Sequence, residues 1–431
     1  MEMNPELRRS LWLEITPTRM AGMPMVLLAT IFLAWLGDGH GFGDAVKNTS
    51  LALFVAITYL WGMRQTSDSV VGEIRERTWD WQRMSAIGPW ALTWGKLCGS
   101  TVYVWYGGVI CLPFLALAWG GSSWVHTLKA VAGLVLGALL TQGIGLLMSL
   151  QMLTRDRALS RSESSGLVVL AFFLMSPFLS IVGRSGKIIV WYGRPFDCLD
   201  FTLLSLAAFI FWLSVGAYNL VRAEFRMKGL PYAWGGFVLF LMLYFPGFAD
   251  GRGSERLIVA GITAASLTYL MALLEKKDPV AMGKLLQWWR EGDLRRVMEG
   301  VPCWVVTLPF VLAAAVLLVL MPGDLAASAG GVGSRALVVA AMAFLIRDIG
   351  LLLYLNLAKK PQRADMFMIL CFALLYGLFP GILSVMGATS ATAVFWPHDH
   401  YWGVSLAASV LGALGAWKLV VIRWRRLTEK D

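Results

Sequence analysis

ERTWDWQRMSAIGPWALTWGKL, Glu76–Leu97, carries both signs of charge and four tryptophans between two apolar runs near 48–64 and 97–119. Each run approaches the roughly 20 residues that a helix needs to cross hydrocarbon about 30 Å thick. A charged, tryptophan-rich segment between two such runs belongs at a membrane surface, where indole rings sit at the edge of the lipid and charges in water. The stretch therefore joins two spanning helices and commits the chain to a bilayer.

Composition agrees. Of 431 residues, 58% are hydrophobic and 15% charged, and the mean hydropathy is +0.65. Soluble domains carry about 25% charged residues, and this much apolar character exceeds what one interior holds. A net charge of +10 would suggest nucleic acid in a soluble protein. Here Lys and Arg lie in short loops beside apolar runs, so they signal orientation, and no nucleic-acid partner is expected. The five cysteines, Cys98, Cys111, Cys198, Cys303 and Cys371, form no CxxC and no pairing pattern, so neither a disulfide framework nor a zinc site is expected. The N-terminus starts with charges and has no A-x-A site behind a short apolar core, so no cleavable signal is expected.

Working outward, about twelve runs reach spanning length: near 21–37, 48–64, 97–119, 127–152, 166–183, 201–221, 232–249, 257–275, 301–321, 336–358, 365–386 and 403–422. Backbone groups in lipid must be satisfied within the segment, so each run is predicted to be helical. Gly and Pro interrupt 166–183 and 365–386, which predicts broken or re-entrant helices there. With the N-terminus inside, the inner loops collect Arg75, Arg77, Arg83, Arg155, Arg222, Lys284, Arg290, Arg295 and Arg423 among others, and the outer loops few. The bias is about threefold and places both termini in the cytoplasm of a bacterial-type inner membrane.

Two halves follow, 1–221 and 222–431. Asn4–Met20 reads as a surface helix, capped by Asn4, opened by Pro5 and ended by Pro17, with Leu7, Leu11 and Ile15 opposite Arg8, Arg9 and Glu14. Asn219–Pro231 precedes the seventh run in the same way. VWYGRPFDCLD (Val190–Asp200) and VFWPHDHYW (Val394–Trp402) both follow a run on the outer side. The expected fold is an all-α polytopic membrane protein of two parallel repeats of about six helices each.

Within the opening stretch, Thr78 is expected to cap a helix over Trp79–Ile87 with Asp80 in its first turn. Gly88-Pro89 breaks that helix, and Glu73 and Arg77 are spaced to pair. The whole loop is expected over 65–96. Its GPWALTWGK is no phosphate loop: Gly88 and Gly95 stand too far apart, and Lys96 is followed by Leu97 instead of a hydroxyl. Gly186-Lys187 and Gly283-Lys284 also fail.

Glu-Arg-Thr-Trp-Asp (76–80), the small-Ile-Gly-Pro turn (86–89) and Gly-Lys-Leu (95–97) resemble the permease subunits of type-2 ABC transporters. In that family an acidic-x-Gly-Thr-Leu-Glu run, a proline turn and a Leu-Gly-Lys element form the cytoplasmic coupling helix. A basic amphipathic helix precedes its first span, and a re-entrant outer hairpin lies between its fifth and sixth. Asn4–Met20 and Val190–Asp200 sit where those would be, so the resemblance covers about the first 220 residues. Arg77 stands for the family's usual glycine, Trp79 for its leucine and Asp80 for its glutamate. Family members often have six spans, so two permease units fused in one chain are implied. The resemblance implies a permease with no catalytic residues of its own, hence not an enzyme. ATP and Mg would be bound by a separate cytoplasmic ATPase, as a dimer. Glu76, Thr78, Trp79, Asp80, Trp81, Arg83, Pro89, Gly95 and Lys96 would couple to it, with Trp79, Asp80, Trp81 and Arg83 in its surface cleft. Export of a lipid-linked, peptide or drug-like substrate is implied. Lys276–Gly300, with Trp288, Trp289, Arg290, Arg295 and Arg296, occupies the matching place in the second half.

Other residues carry competing readings. Arg347 and Asp348 are an adjacent ionisable pair well inside a run and a candidate intramembrane functional pair. An ion-coupled secondary transporter would use Asp348 or Lys129. A membrane enzyme acting on lipid-linked substrates would use Asp38, Asp44 or His398, and a multi-span assembly scaffold would transport nothing. His398-Asp399-His400 lacks the helical spacing of zinc motifs and reads as a wet outer loop; no metal is expected.

Overall fold

In the computed structural model the described residues are 4–428 apart from 86, 120–122, 154–186, 226, 228, 230, 250, 252, 276, 322–330, 358–363 and 399. The run expected at 166–183, and Asp399, lie outside them.

The chain divides into two compact units. The first comprises Met1–Val190 and Arg194–Gly229, the second Trp191–Gly193 and Leu230–Asp431. The boundary expected after residue 221 falls inside a helix that runs on to Glu224.

In the first unit α1 (Pro5–Glu14) leads to α2 (Pro17–Gly37). Asn4 caps α1 as expected: its Oδ1 accepts the Glu6 N–H. Pro17, however, opens α2 at its first turn instead of closing a single Asn4–Met20 helix. Next come α3 (Asp44–Phe54), a π-helical segment (Val55–Trp61) and α4 (Gly62–Arg75). Then follow α5 (Trp79–Met84), α6 (Pro89–Gly99), α7 (Val102–Ala118), α8 (Trp124–Leu153) and, after a hairpin, α9 (Cys198–Glu224). The hairpin pairs β1 (Ile188–Trp191) with β2 (Arg194–Asp197). A chain expected to be all helix thus turns by strands at the place assigned to a re-entrant hairpin. Extended, β-branched Ile188–Val190 and a Tyr192–Gly193 turn at positive φ account for it.

The first unit's core joins Phe54, Tyr59, Val104, Cys111, Leu115 and Leu134. The π segment leaves backbone carbonyls that side chains must satisfy. Gln142 of α8 does so, donating from Nε2 to the Thr58 carbonyl (2.9 Å) while its Oε1 accepts from the Trp105 indole (3.0 Å).

The second unit contains α10 (Tyr232–Tyr244) with a short 3-10 turn (Phe245–Phe248), α11 (Gly253–Leu274), α12 (Pro279–Glu291), α13 (Leu294–Gly300), α14 (Cys303–Leu320) and α15 (Gly331–Asn356). α16 (Ala364–Phe372), a π segment (Ala373–Leu378) and α17 (Phe379–Val385) form one interrupted helix, as Gly377 and Pro380 predict. α18 (Thr389–Thr392) and α19 (Trp402–Thr428) close the chain. Its core gathers Trp304, Val311, Leu345, Ile349, Leu352 and Met368.

The chain is a polytopic, mainly α-helical membrane protein. Among the described residues eight helices are long and apolar enough to cross a membrane, or nine if α6 and α7, bent by 49°, form one span. Tyr232–Phe248 is apolar but shorter. The expected run at 48–64 belongs to α3, the π segment and α4, which continue as helix to Arg75 and carry charge at both ends.

Candidate functional site

The opening stretch resolves into three pieces. α4 ends in a Schellman cap: the Thr78 N–H reaches the Glu73 carbonyl (2.8 Å) and the Arg77 N–H the Ile74 carbonyl (3.1 Å). Such a cap needs a left-handed residue, and Arg77 takes it at φ +58°. α5 follows, ending at Met84 and not at Ile87. Thr78 precedes it without capping it, because its hydroxyl is turned back to the Glu73 carbonyl. Pro89 opens α6 as expected.

Glu73 does not pair with Arg77, whose side chain is exposed. It meets Lys96 Nζ at 2.5 Å, Arg9 Nη2 at 2.7 Å and the Gln82 amide at 2.5 Å. Glu6 of α1 completes the group, 2.9 Å from Arg9 and 3.6 Å from Lys96. Lys96, 2% exposed, is therefore closed in by two carboxylates. A buried ammonium is tolerated only when paired in this way. The same burial removes Lys96 from any phosphate-binding role.

The cluster exists because α1 lies close against α6. The Asn4 amide donates to the Ala91 carbonyl at 2.6 Å. A Cβ on Gly95 would stand 2.6 Å from Glu6 Cβ, and one on Gly99 2.7 Å from Ser10 Oγ. Only glycine allows that approach, in the small-xxx-small manner of membrane helices.

The expected coupling residues separate into two sets. Trp79, placed in sequence terms in a partner's cleft, is 5% exposed and faces inward, with Lys96 Nζ 5.5 Å from its ring centroid. Gly95 and Lys96 are internal, and Thr78 and Pro89 shape the backbone. Glu76, Asp80 and Trp81 are exposed, and Arg83 is half-buried beside Asp80 at 3.5 Å. Trp81 is 73% exposed, Met84 72% and Trp90 53%. Met84 and Trp90 join that outer surface although the sequence pattern did not single them out. Glu6, Arg9 and Glu73 were missed as site residues because their partners lie far along the chain.

A second buried group occupies the other unit. Asp348 accepts from Arg347 Nε (2.9 Å), from the Tyr269 hydroxyl (2.8 Å) and from the Tyr376 hydroxyl. Arg347 also donates to Tyr376 (2.9 Å) and lies over the Phe344 ring at 4.6 Å. The pair is thus brought together with residues of α11 and the second π segment. Nothing in the sequence pattern pointed to Tyr269 or Tyr376.

The remaining candidates are structural in their contacts. Asp38 accepts the N–H groups of Gly43, Ala45 and Val46 at 2.8–3.1 Å and so caps α3, in whose first turn Asp44 lies. The Val46 N–H, the leading influence, holds its carboxyl below the usual range; slight burial opposes this, and Ala45 and Gly43 add to it. Lys129 pairs with Asp200 at 2.6 Å. Glu275 accepts the Cys303 N–H (2.8 Å) and the Trp304 N–H (3.4 Å), capping α14. Burial pushes its carboxyl up, while the Cys303 donor pulls the other way. The His398 N–H donates to Ser405. Among the described residues no three His, Cys, Asp or Glu side chains are grouped to hold a metal.

Compared with models of known protein families, with curated proteins and with solved structures, the chain matches none.

Proposed function

We propose that this chain is the membrane-spanning permease of a transporter driven by a separate cytoplasmic ATPase, of the kind its sequence resembles in type-2 ABC transporters. The observation that carries the reading is the two-sided build of α5. Its inner side is held by Trp79, Glu73 and Lys96, and its outer side offers Trp81, Met84, Asp80 and, beyond the turn, Trp90. Tryptophan and arginine are the anchors that protein interfaces favour. A push on the outer side reaches α6 through Lys96, and α6 meets α7 at the 49° bend. That is a lever. The left-handed Arg77 supports the resemblance further, since it stands where the family has glycine.

On this reading ATP and Mg bind only to the partner, the substrate is a lipid-linked, peptide or drug-like molecule, and the direction is export. Nucleotide-dependent contacts bias the permease between two states and so alternate access. Copurification tests it: the chain retains a Walker-A ATPase lacking membrane spans of its own, and Trp81→Ala with Arg83→Glu releases it. Trp79→Ala is unsuited to this test, because a buried ring is removed with it. Retention of the ATPase by the Trp81/Arg83 variant, with its fold intact, would overturn the docking site.

A second reading, ion-coupled transport, draws on Asp348, a carboxylate buried among Arg347, Tyr269 and Tyr376. It predicts uptake or efflux in vesicles holding this chain alone, dependent on a proton or sodium gradient and abolished by Asp348→Asn. Transport that needs the ATPase and ignores the gradient rejects it.

A further inference from the structure

α12 and α13 fill the connection between α11 and α14 in the second unit, and neither contains a fully buried residue. α12 is nonetheless two-faced. At 100° per residue, Met282, Leu285, Leu286, Trp288 and Trp289 share one half of its circumference, and Gly283, Lys284, Gln287, Arg290 and Glu291 the other. Leu285 and Trp288 are used internally, 3.1 Å and 3.2 Å from where a Cβ on Gly300 would stand. Leu286 and Trp289 are not: they are 49% and 65% exposed.

The surroundings fix where this exposed edge lies. α11 ends at Leu274 and α14 begins at Cys303, joined by the Glu275 carboxylate. Trp424, near the end of α19, lies 3.9 Å from where a Cβ on Gly283 would stand. α12 thus crosses the end of the second unit at which three apolar helices begin or stop. That end is basic, with Arg423, Arg425 and Arg426 following in α19. Along α13, Arg295 pairs with Glu299 and Arg296 with Asp293. Lys284 and Arg290 meet no carboxylate among the described residues. A tryptophan and a leucine at the ends of spanning helices, with Arg290 beside them on the helix and Lys284 across it, neither paired among the described residues, match the chemistry of an acidic lipid surface: acyl chain for the apolar side chains, phosphate for the cations.

We propose that α12 is an interfacial helix that binds anionic phospholipid, Leu286 and Trp289 entering the acyl boundary and Lys284 and Arg290 holding headgroup phosphate. This inference does not rest on the proposed ATPase coupling and assigns the second loop to lipid, not to a second docking site.

Photocrosslinking tests it in the whole chain. With p-benzoylphenylalanine at position 289, the protein is reconstituted in phosphatidylcholine vesicles containing a minor share of phosphatidylglycerol, with and without cytosolic extract. The expected adducts are lipids, enriched in phosphatidylglycerol over its share by about fivefold for each basic residue engaged. Lys284→Glu with Arg290→Glu should abolish the enrichment while leaving the lipid adducts. An adduct to a protein, an absence of lipid adducts, or an enrichment that survives the charge reversal would overturn the proposal. The same probe at position 81 is expected to capture a protein instead, so failure of one reading is told apart from failure of the other.

Discussion

Arg77, like His40 and Tyr192, is a non-glycine residue in the left-handed region. A non-glycine residue at φ +58° costs about 1 kcal/mol, and its side chain is exposed, so little is lost on removing it. Arg77→Gly is therefore expected to raise stability by about 0.5–1 kcal/mol in detergent, read as a higher thermal midpoint. Lys96 gives the opposite expectation. Lys96→Met leaves Glu6 and Glu73 facing each other with Arg9 alone, and should cost about 3–5 kcal/mol. Adding Glu73→Gln should recover part of that loss, and a double-mutant cycle measures how much. Asp38 provides a pH dependence. Its carboxyl titrates below the unfolded value of 3.8, so the stability it adds is present above that pH and disappears as pH falls further. Asp38→Asn should flatten the acid limb of the stability profile and leave neutral pH behaviour to the remaining N–H contacts.

At the scale of elements, α1 is a fitted part and not a loose surface helix. Its Glu6 and Ser10 occupy room that Gly95 and Gly99 leave on α6. Gly95→Leu should displace α1, at a cost of about 1–3 kcal/mol with relaxation. Hydrogen exchange over residues 5–14 should speed up, while exchange in α8 and α9 stays slow. If exchange in α1 is unchanged, the helix is not held by this contact. The two π segments have a shared consequence: each leaves the regular ladder at a place where a polar partner stands, Gln142 beside Thr58 and Asp348 beside Tyr376. Arg347→Leu should loosen the second arrangement, since Asp348 would keep only two hydroxyl donors, and tryptophan fluorescence from Trp396, which packs on Tyr376, should report it.

For the whole molecule, transport driven from outside the chain is the expectation that the lever-like α5 and the bend into α7 support. Purified chain in vesicles should move its cargo only when the ATPase and ATP are supplied, and Trp81→Ala with Arg83→Glu should remove the stimulation with an unchanged melting midpoint. The number of spans bears on the same picture. Nine of the expected twelve runs correspond to long apolar helices or the bent pair; the others are a charged π-interrupted helix, a shorter apolar helix and one segment outside the described residues.

Membrane character and the positions of most spans were legible in the sequence, because hydropathy summed over about 20 neighbours is a local quantity. So were the Asn4 cap and the helix start at Pro89, which depend on one or two adjacent residues. The neighbourhood of each charge was not. Glu6, Arg9, Glu73 and Lys96 span some ninety positions, and Tyr269, Asp348 and Tyr376 more than a hundred. Which of these meet depends on the faces that packed helices turn toward one another, and no local pattern records that. The helical repeat sets Trp79 and Trp81 about 200° apart, and tertiary packing decided that Trp79 is the ring that meets the buried lysine while Trp81 faces outward.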